Sequence, residues 1–125
     1  MLEGYSLNAE VPAATAVSFK NIKLDKCCNT DFSGDSTIIF NKCGVYEVVC
    51  CASSATSATI QLYKNGVAQP EAQSTGTSPC FRTFVQVPNN NSCCPCSSPT
   101  SIQIMNPTDA AETFTNIDIT VNKLG

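Results

Sequence analysis

SATIQLYKNGVAQ, residues 57–69, decides the reading of the fold. Ile60 and Leu62 alternate with Gln61 and Tyr63, the period-two pattern of a strand with one buried face. Asn65-Gly66 then supplies the positive-φ pair that a tight hairpin turn needs. Outward from this hairpin the same grammar repeats. TAVSFKNIKL (15–24) alternates loosely and STIIFN (36–41) is a short apolar run. In KCGVYEVVCCAS (42–53), Tyr46, Val48 and Cys50 share one face, and Val45, Glu47, Val49 and Cys51 share the other. CFRTFVQVP (80–88) is stopped by Pro88, and TSIQIMNP (100–107) ends at Asn106-Pro107. FTNIDITVNKL (114–124) sets Phe114, Ile117, Ile119 and Val121 against Asp118, Thr120 and Asn122. Its one offset, near Asn116, reads as a bulge.

Seven strands with turn residues between them, and no helix of convincing length, predict an all-β antiparallel two-sheet sandwich or jelly roll. Residues 1–14 carry no such pattern and are set apart as an N-terminal segment before a domain at 15–125. Charged residues are only 14% of the chain, against about a quarter in an ordinary soluble domain. Several strands also have weakly polar outer faces. Some outer surface is therefore expected to be covered, as in a closed oligomer. The plainer alternative is a monomer with a Ser/Thr/Asn-rich surface.

The seven Lys and Arg residues are scattered and the net charge is −3, which argues against a nucleic-acid partner. No apolar run approaches the roughly 18 residues of a membrane span. The first residues lack a basic region followed by an apolar core, so no secretory signal is expected. The chain has no histidine, which removes Ser-His-Asp and Cys-His catalysis and histidine-based metal sites. Asp31 and Asp35, in TDFSGDS, are the carboxylates with a Gly-containing spacing that suits Ca²⁺. The spacing does not match an EF-hand loop, and the run also makes a good turn. No catalytic activity, metal or cofactor is expected.

Nine cysteines in 125 residues point to an oxidising compartment. A protein made in the cytosol and released by lysis reconciles that density with the missing signal, as in a virion or on a spore surface. A signal already removed, an upstream fusion partner, or thiols kept reduced inside a cell are the other readings. The densest stretch is NNNSCCPCSSP (89–99). Cys93-x-x-Cys96 has thiolate spacing for zinc but needs two more ligands, from Cys27, Cys28 or Cys43. A thioredoxin-type centre needs a strand-to-helix turn, which this Pro/Ser/Asn loop is not. Disulfide stapling is the better supported reading, with Cys27, Cys28, Cys43, Cys51, Cys80, Cys93, Cys94 and Cys96 as candidates. Cys50 shares a face with Tyr46 and Val48, so it is the candidate for a buried free thiol. Neighbours on a strand face opposite ways, so Cys50 and Cys51 should not share a partner. Cys93, Cys94 and Cys96 are expected to tie their loop to the segments carrying Cys27, Cys28 and Cys80.

The order of features resembles the jelly roll of the C1q and tumour-necrosis-factor superfamily in its bacterial and phage form. The carriers are VSF, the Gly44-Val45-Tyr46 strand opening, the Leu62-Tyr63-Lys64-Asn65-Gly66 hairpin, FVQV, SIQIMN and the alternating end from Ile117 to Leu124. The resemblance covers roughly residues 15–124. It implies a compact, non-enzymatic homotrimer of sandwiches used for binding or display, with binding loops at one end of the sandwich. Residues 53–57, 72–79 and 88–100 are the loop candidates. It further implies a phage or prophage virion component, since some such proteins carry cysteine doublets like Cys93-Cys94 before the penultimate strand. The partner would be a capsid protein or a host-surface glycan or protein. A spore-surface or adhesive head is the alternative, and a zinc-stabilised intracellular interaction domain the second. Two features depart from the family: SCCPCSSPT stands where many members have Gly-Asp, and no collagen-like stalk is present.

Overall fold

The computed structural model describes residues 1–25, 30–88 and 100–124. Eleven strands run through them: β1 (Leu2–Val11), β2 (Thr15–Ala16), β3 (Asn21–Asp25), β4 (Thr30–Ser33), β5 (Thr37–Phe40), β6 (Gly44–Ser53), β7 (Ala58–Lys64), β8 (Val67–Gly76), β9 (Cys80–Val87), β10 (Thr100–Asn106) and β11 (Glu112–Lys123). They form two antiparallel sheets, β3-β1-β11-β6-β9 and β4-β5-β10-β7-β8, with β2 added beside β10. The inward faces pack one core. Tyr46, Val48 and Cys50 of β6 meet Ile60 and Leu62 of β7, Ile102 and Ile104 of β10, and Ile117, Ile119 and Val121 of β11 within it. The Phe40 and Tyr46 rings lie 4.4 Å apart across the sheets, and the Tyr46 hydroxyl donates to Lys42 O at 2.7 Å.

The β7–β8 hairpin turns at Asn65 (φ 51°) and Gly66 (φ 80°). Its tip is fixed to β10, because Asn65 Oδ1 accepts the Ser101 N–H at 2.9 Å.

Four sequence expectations change. Residues 15–24 are not one strand. β2 pairs with β10 and β3 with β1, in opposite sheets, so the chain crosses the sandwich between them. Val17 and Phe19 fill the crossing as buried side chains. Residues 72–76, read as loop, continue β8. That strand contains Pro70 and has little apolar pattern, which an edge strand tolerates.

The largest change is β1. The sequence sets residues 1–14 apart as an N-terminal segment, yet β1 lies within the five-stranded sheet, paired with β11 from Leu2↔Val121 to Val11↔Glu112. Its inward positions hide the strand signal because two are small. A Cβ on Gly4 would come within 2.9 Å of the Phe32 ring. Ser6 is buried with its hydroxyl donating to Ser18 O at 2.5 Å and accepting the Lys20 N–H at 2.8 Å. The offset near Asn116 is not a one-sided bulge. Asn8, at φ 52°, breaks the β1 alternation opposite the break in β11, and the pairing register continues unchanged from Leu7↔Asn116 to Ala9↔Phe114.

At one end of the sandwich a carboxylate bridges the sheets: Glu112 Oε2 accepts the Thr59 N–H at 2.6 Å. The other oxygen, Oε1, is buried without a hydrogen-bond partner. Desolvation raises the carboxyl above its usual range, more than the Thr59 N–H lowers it. A raised folded-state value means that ionisation costs stability, absent below the ordinary glutamate range and complete above the folded value. Glu112→Gln is therefore expected to melt higher than the parent at pH 7, with the difference shrinking as pH falls through that range. Melting curves across pH check it, and a pH-independent difference of either sign refutes the assignment.

Candidate functional site

The feature of the fold with most chemistry on it is the outer face of the five-stranded sheet. Period-two alternation turns the residues between the core positions outward. The strand register then sets them in rows. Leu7, Asn116 and Ser53 form one row; Tyr5, Asp118, Cys51 and Cys80 the next; Glu3, Thr120, Val49 and Arg82 the third. Asn122, Glu47 and Phe84 follow, then Val45 beside Gln86. Large apolar groups stand open to solvent: Leu7 is 60% exposed, Phe84 54% and Val45 37%.

Two places on this face are structured. At the β9 edge, Arg82 Nε donates to Glu47 Oε2 in an ion pair. Its guanidinium lies 5.2 Å from the Phe84 ring centroid, in cation–π contact. On the β1–β11 side, Glu3, Tyr5, Leu7, Asn116 and Asp118 line a cleft of about 360 Å³. Between the two lies the Cys51–Cys80 disulfide, joining residues directly opposite each other on β6 and β9 with Cα atoms 4.1 Å apart. Ala52 N–H donates to Pro79 O at 2.9 Å beside it. The cysteines therefore form a non-hydrogen-bonded pair, the arrangement in which facing side chains are closest.

Cys80 is therefore bonded to Cys51 and not to the 88–100 segment, which corrects that expectation. Regular pairing of β6 with β9 already places Cys51 at bonding distance. Cys43 is also disulfide-bonded, so it is not a thiolate available to zinc. Cys50 is free and fully buried in the core, one residue from Cys51 but on the other side of the sheet. Burial, and secondarily the Asp118 carboxylate, push its thiol pKa up. Folded protein at neutral pH is expected to leave Cys50 unmodified by iodoacetamide, with modification appearing only in denaturant. Peptide mapping checks this, and equal labelling in both states would contradict the burial. Cys27, Cys28, Cys93, Cys94 and Cys96 lie outside the described residues.

Asp31 and Asp35 do not converge on a cation site. Asp31 is on β4, while Asp35 pairs with Lys20 at 3.5 Å and its carbonyl accepts the Phe19 N–H. Among the described residues no group of three Cys, Asp or Glu could hold a metal ion. No helix there is long and apolar enough to cross a membrane. Of the loop candidates, 53–57 is anchored rather than open: Ser54 Oγ donates to Thr113 O at 2.7 Å, and Ser54 N–H donates to Thr77 O at 2.8 Å.

Sequence reasoning did not single out Glu3, Tyr5, Leu7, Arg82 or Phe84. For β1 the usable signal was the alternation of Glu3, Tyr5 and Leu7 with the small residues Gly4 and Ser6. For β9 it was the aromatic Phe84 on the face away from Phe81 and Val85.

No protein-family model and no curated protein matches the sequence. Solved structures do match. The globular domain of zebrafish complement 1qA aligns with a TM-score of 0.77 and 10% identity, over 99% of this chain and 96% of that one. Eiger TNF from S. frugiperda aligns at 0.67 and 8%, over 99% and 92%. Murine APRIL aligns at 0.62 and 11%, over 98% of each. The chain thus has the C1q/TNF-like jelly-roll fold, and at these identities the likeness extends to the fold alone.

Proposed function

We propose that this protein is a non-enzymatic homotrimeric jelly roll that displays a binding surface on a particle, a phage or prophage virion, as capsid decoration or in contact with the host surface. One observation carries the association of copies: the outer face of the five-stranded sheet exposes Val45 and Phe84 in adjoining rows of β6 and β9, and Leu7 on β1. Such groups in solvent gain from being covered, at roughly 25 cal/mol per Å² of apolar surface buried. The trimeric habit of C1q- and TNF-type jelly rolls supports three copies rather than another number. The virion reading rests on the resemblance to phage-encoded jelly rolls and on the cysteine density, with Cys51–Cys80 already a disulfide stapling the sheet.

Light scattering at micromolar concentration should return three times the mass of one chain, and a monomer would remove the trimer. Mass spectrometry of purified particles should find the protein, and its absence would remove the virion role. Sporulation genes beside its own, in place of capsid and tail genes, would favour a spore-surface head instead.

A further inference from the structure

The two outer faces of the sandwich differ in kind. The five-stranded sheet turns Glu3, Glu47, Arg82 and Asp118 outward among apolar groups. The six-stranded sheet turns out amides and hydroxyls. On its central strands Ile38, Ile60, Leu62, Ile102 and Ile104 face the core, so the alternate positions face away. None of those outward positions on β5, β10 and β7 carries a charge. Asp31 stands on the edge strand β4, opposite Ile39. Lys64 follows Tyr63 but turns the other way, its amine donating to Gln86 O of the other sheet at 3.0 Å.

Two glutamines sit at the middle of this face. Gln103 lies opposite Tyr63, and Gln61 opposite Met105 and Gln73. Both amides are held in place. Gln103 Nε2 donates to Thr37 Oγ1 at 3.1 Å. Gln61 points outward yet is only 8% exposed, and its Nε2 donates to Gln69 O at 3.4 Å. Each amide keeps a second N–H, and among the described residues nothing donates to either amide oxygen. An amide buried this far without a full set of partners costs free energy, and the Gln61 oxygen is not sealed off but opens onto the face.

We infer that this face is a binding platform for a neutral glycan. The inference rests on the reading of the protein as one in contact with a host surface, and it names the site and the ligand class. A side-chain amide offers N–H and C=O in one plane, the pair that neighbouring sugar hydroxyls, each both donor and acceptor, engage together. Tyr63, half-buried beside Gln103, gives a ring for the C–H face of a pyranose to pack on. Amides already fixed by the fold lose little freedom when a ligand arrives. The patch spans β10, β7 and β8, roughly 10 Å across, the width of about two sugar rings. An anionic glycan would find no cation here to pair with its charge. A protein partner would find no anchor, since no large exposed apolar side chain stands on β5, β10 or β7.

The test screens the full-length protein on an array of neutral, sialylated and sulfated oligosaccharides, then measures the retained sugar by titration calorimetry. A neutral oligosaccharide should be retained. Tyr63→Ala and Gln103→Ala should each weaken it about tenfold, with native mass and melting curve unchanged. Gln73→Ala, at an exposed position, keeps the test decisive where those variants fold poorly, and should weaken binding about threefold. An array that retains nothing, or only charged glycans, overturns the site. So does undiminished binding by variants that keep their fold. Mass spectrometry of purified particles separates the two failures: a protein present on particles that binds no neutral glycan overturns this site alone, and a protein absent from them overturns the reading beneath it.

Discussion

Asn106→Ala is expected to cost the fold about 3–5 kcal/mol, among the largest losses from one side chain outside the apolar core. Asn106 is fully buried. Its amide nitrogen donates to Ala110 O at 2.8 Å, Val11 O at 3.1 Å and Pro12 O at 3.3 Å. Its oxygen accepts Thr108 N–H at 3.0 Å and the Thr108 hydroxyl at 2.7 Å. One side chain thus satisfies the end of β1, the corner after it and the β10–β11 connection. Val11 is buried, so deletion takes the amide partner from a carbonyl out of reach of solvent, while Ala110 O keeps the Thr108 hydroxyl at 2.9 Å. Asn106→Asp should be no better tolerated, since a carboxylate cannot donate to three carbonyls. Urea denaturation checks both. A loss under about 1 kcal/mol for the alanine variant would mean that water or a neighbour replaces the amide.

The second large effect is the loss of the Cys51–Cys80 bond. The two cysteines are 29 residues apart in sequence. Closing a loop of that size in the unfolded chain corresponds to about 3–4 kcal/mol in the chain-entropy account. Cys51→Ser with Cys80→Ser should lower stability by nearly that amount. It should also loosen β9, which has a neighbour in its sheet on one side only. Denaturation measures the first, and amide exchange along β9 the second. Unchanged stability would refute the chain-entropy account for this bond.

How much of this was legible beforehand differs from strand to strand. β6 and β11 were readable because their inward positions are filled by large apolar residues, and alternation with polar neighbours survives in print. The β7–β8 turn was readable because Asn65-Gly66 is a local requirement of backbone geometry. β1 was not, because Gly4 is made small by Phe32, a residue brought opposite it from the other sheet. Ser6 is likewise polar yet buried, its hydroxyl satisfied by backbone groups twelve and fourteen residues away. β8 escaped because an edge strand needs no continuous apolar face and admits Pro70.

The candidate site divides the same way. That Cys50 and Cys51 face apart follows from the pleat of one strand. That Cys51 meets Cys80 follows from the pairing of β6 with β9, which no local pattern announces. The cleft lined by Glu3, Tyr5, Leu7, Asn116 and Asp118 depends on β1 lying beside β11, two distant segments that only the sheet brings together. The sequence by itself therefore determined the all-β class, the hairpin, the core face of the central strands and the absence of histidine chemistry, all consequences of residues within a few positions of one another. The tertiary structure alone decided the strand order, the Cys51–Cys80 partnership, the anchoring by Asn106, and the rows of outward side chains on the five-stranded sheet. Each of those needs contacts between distant segments, whose register is set by packing across the whole sandwich.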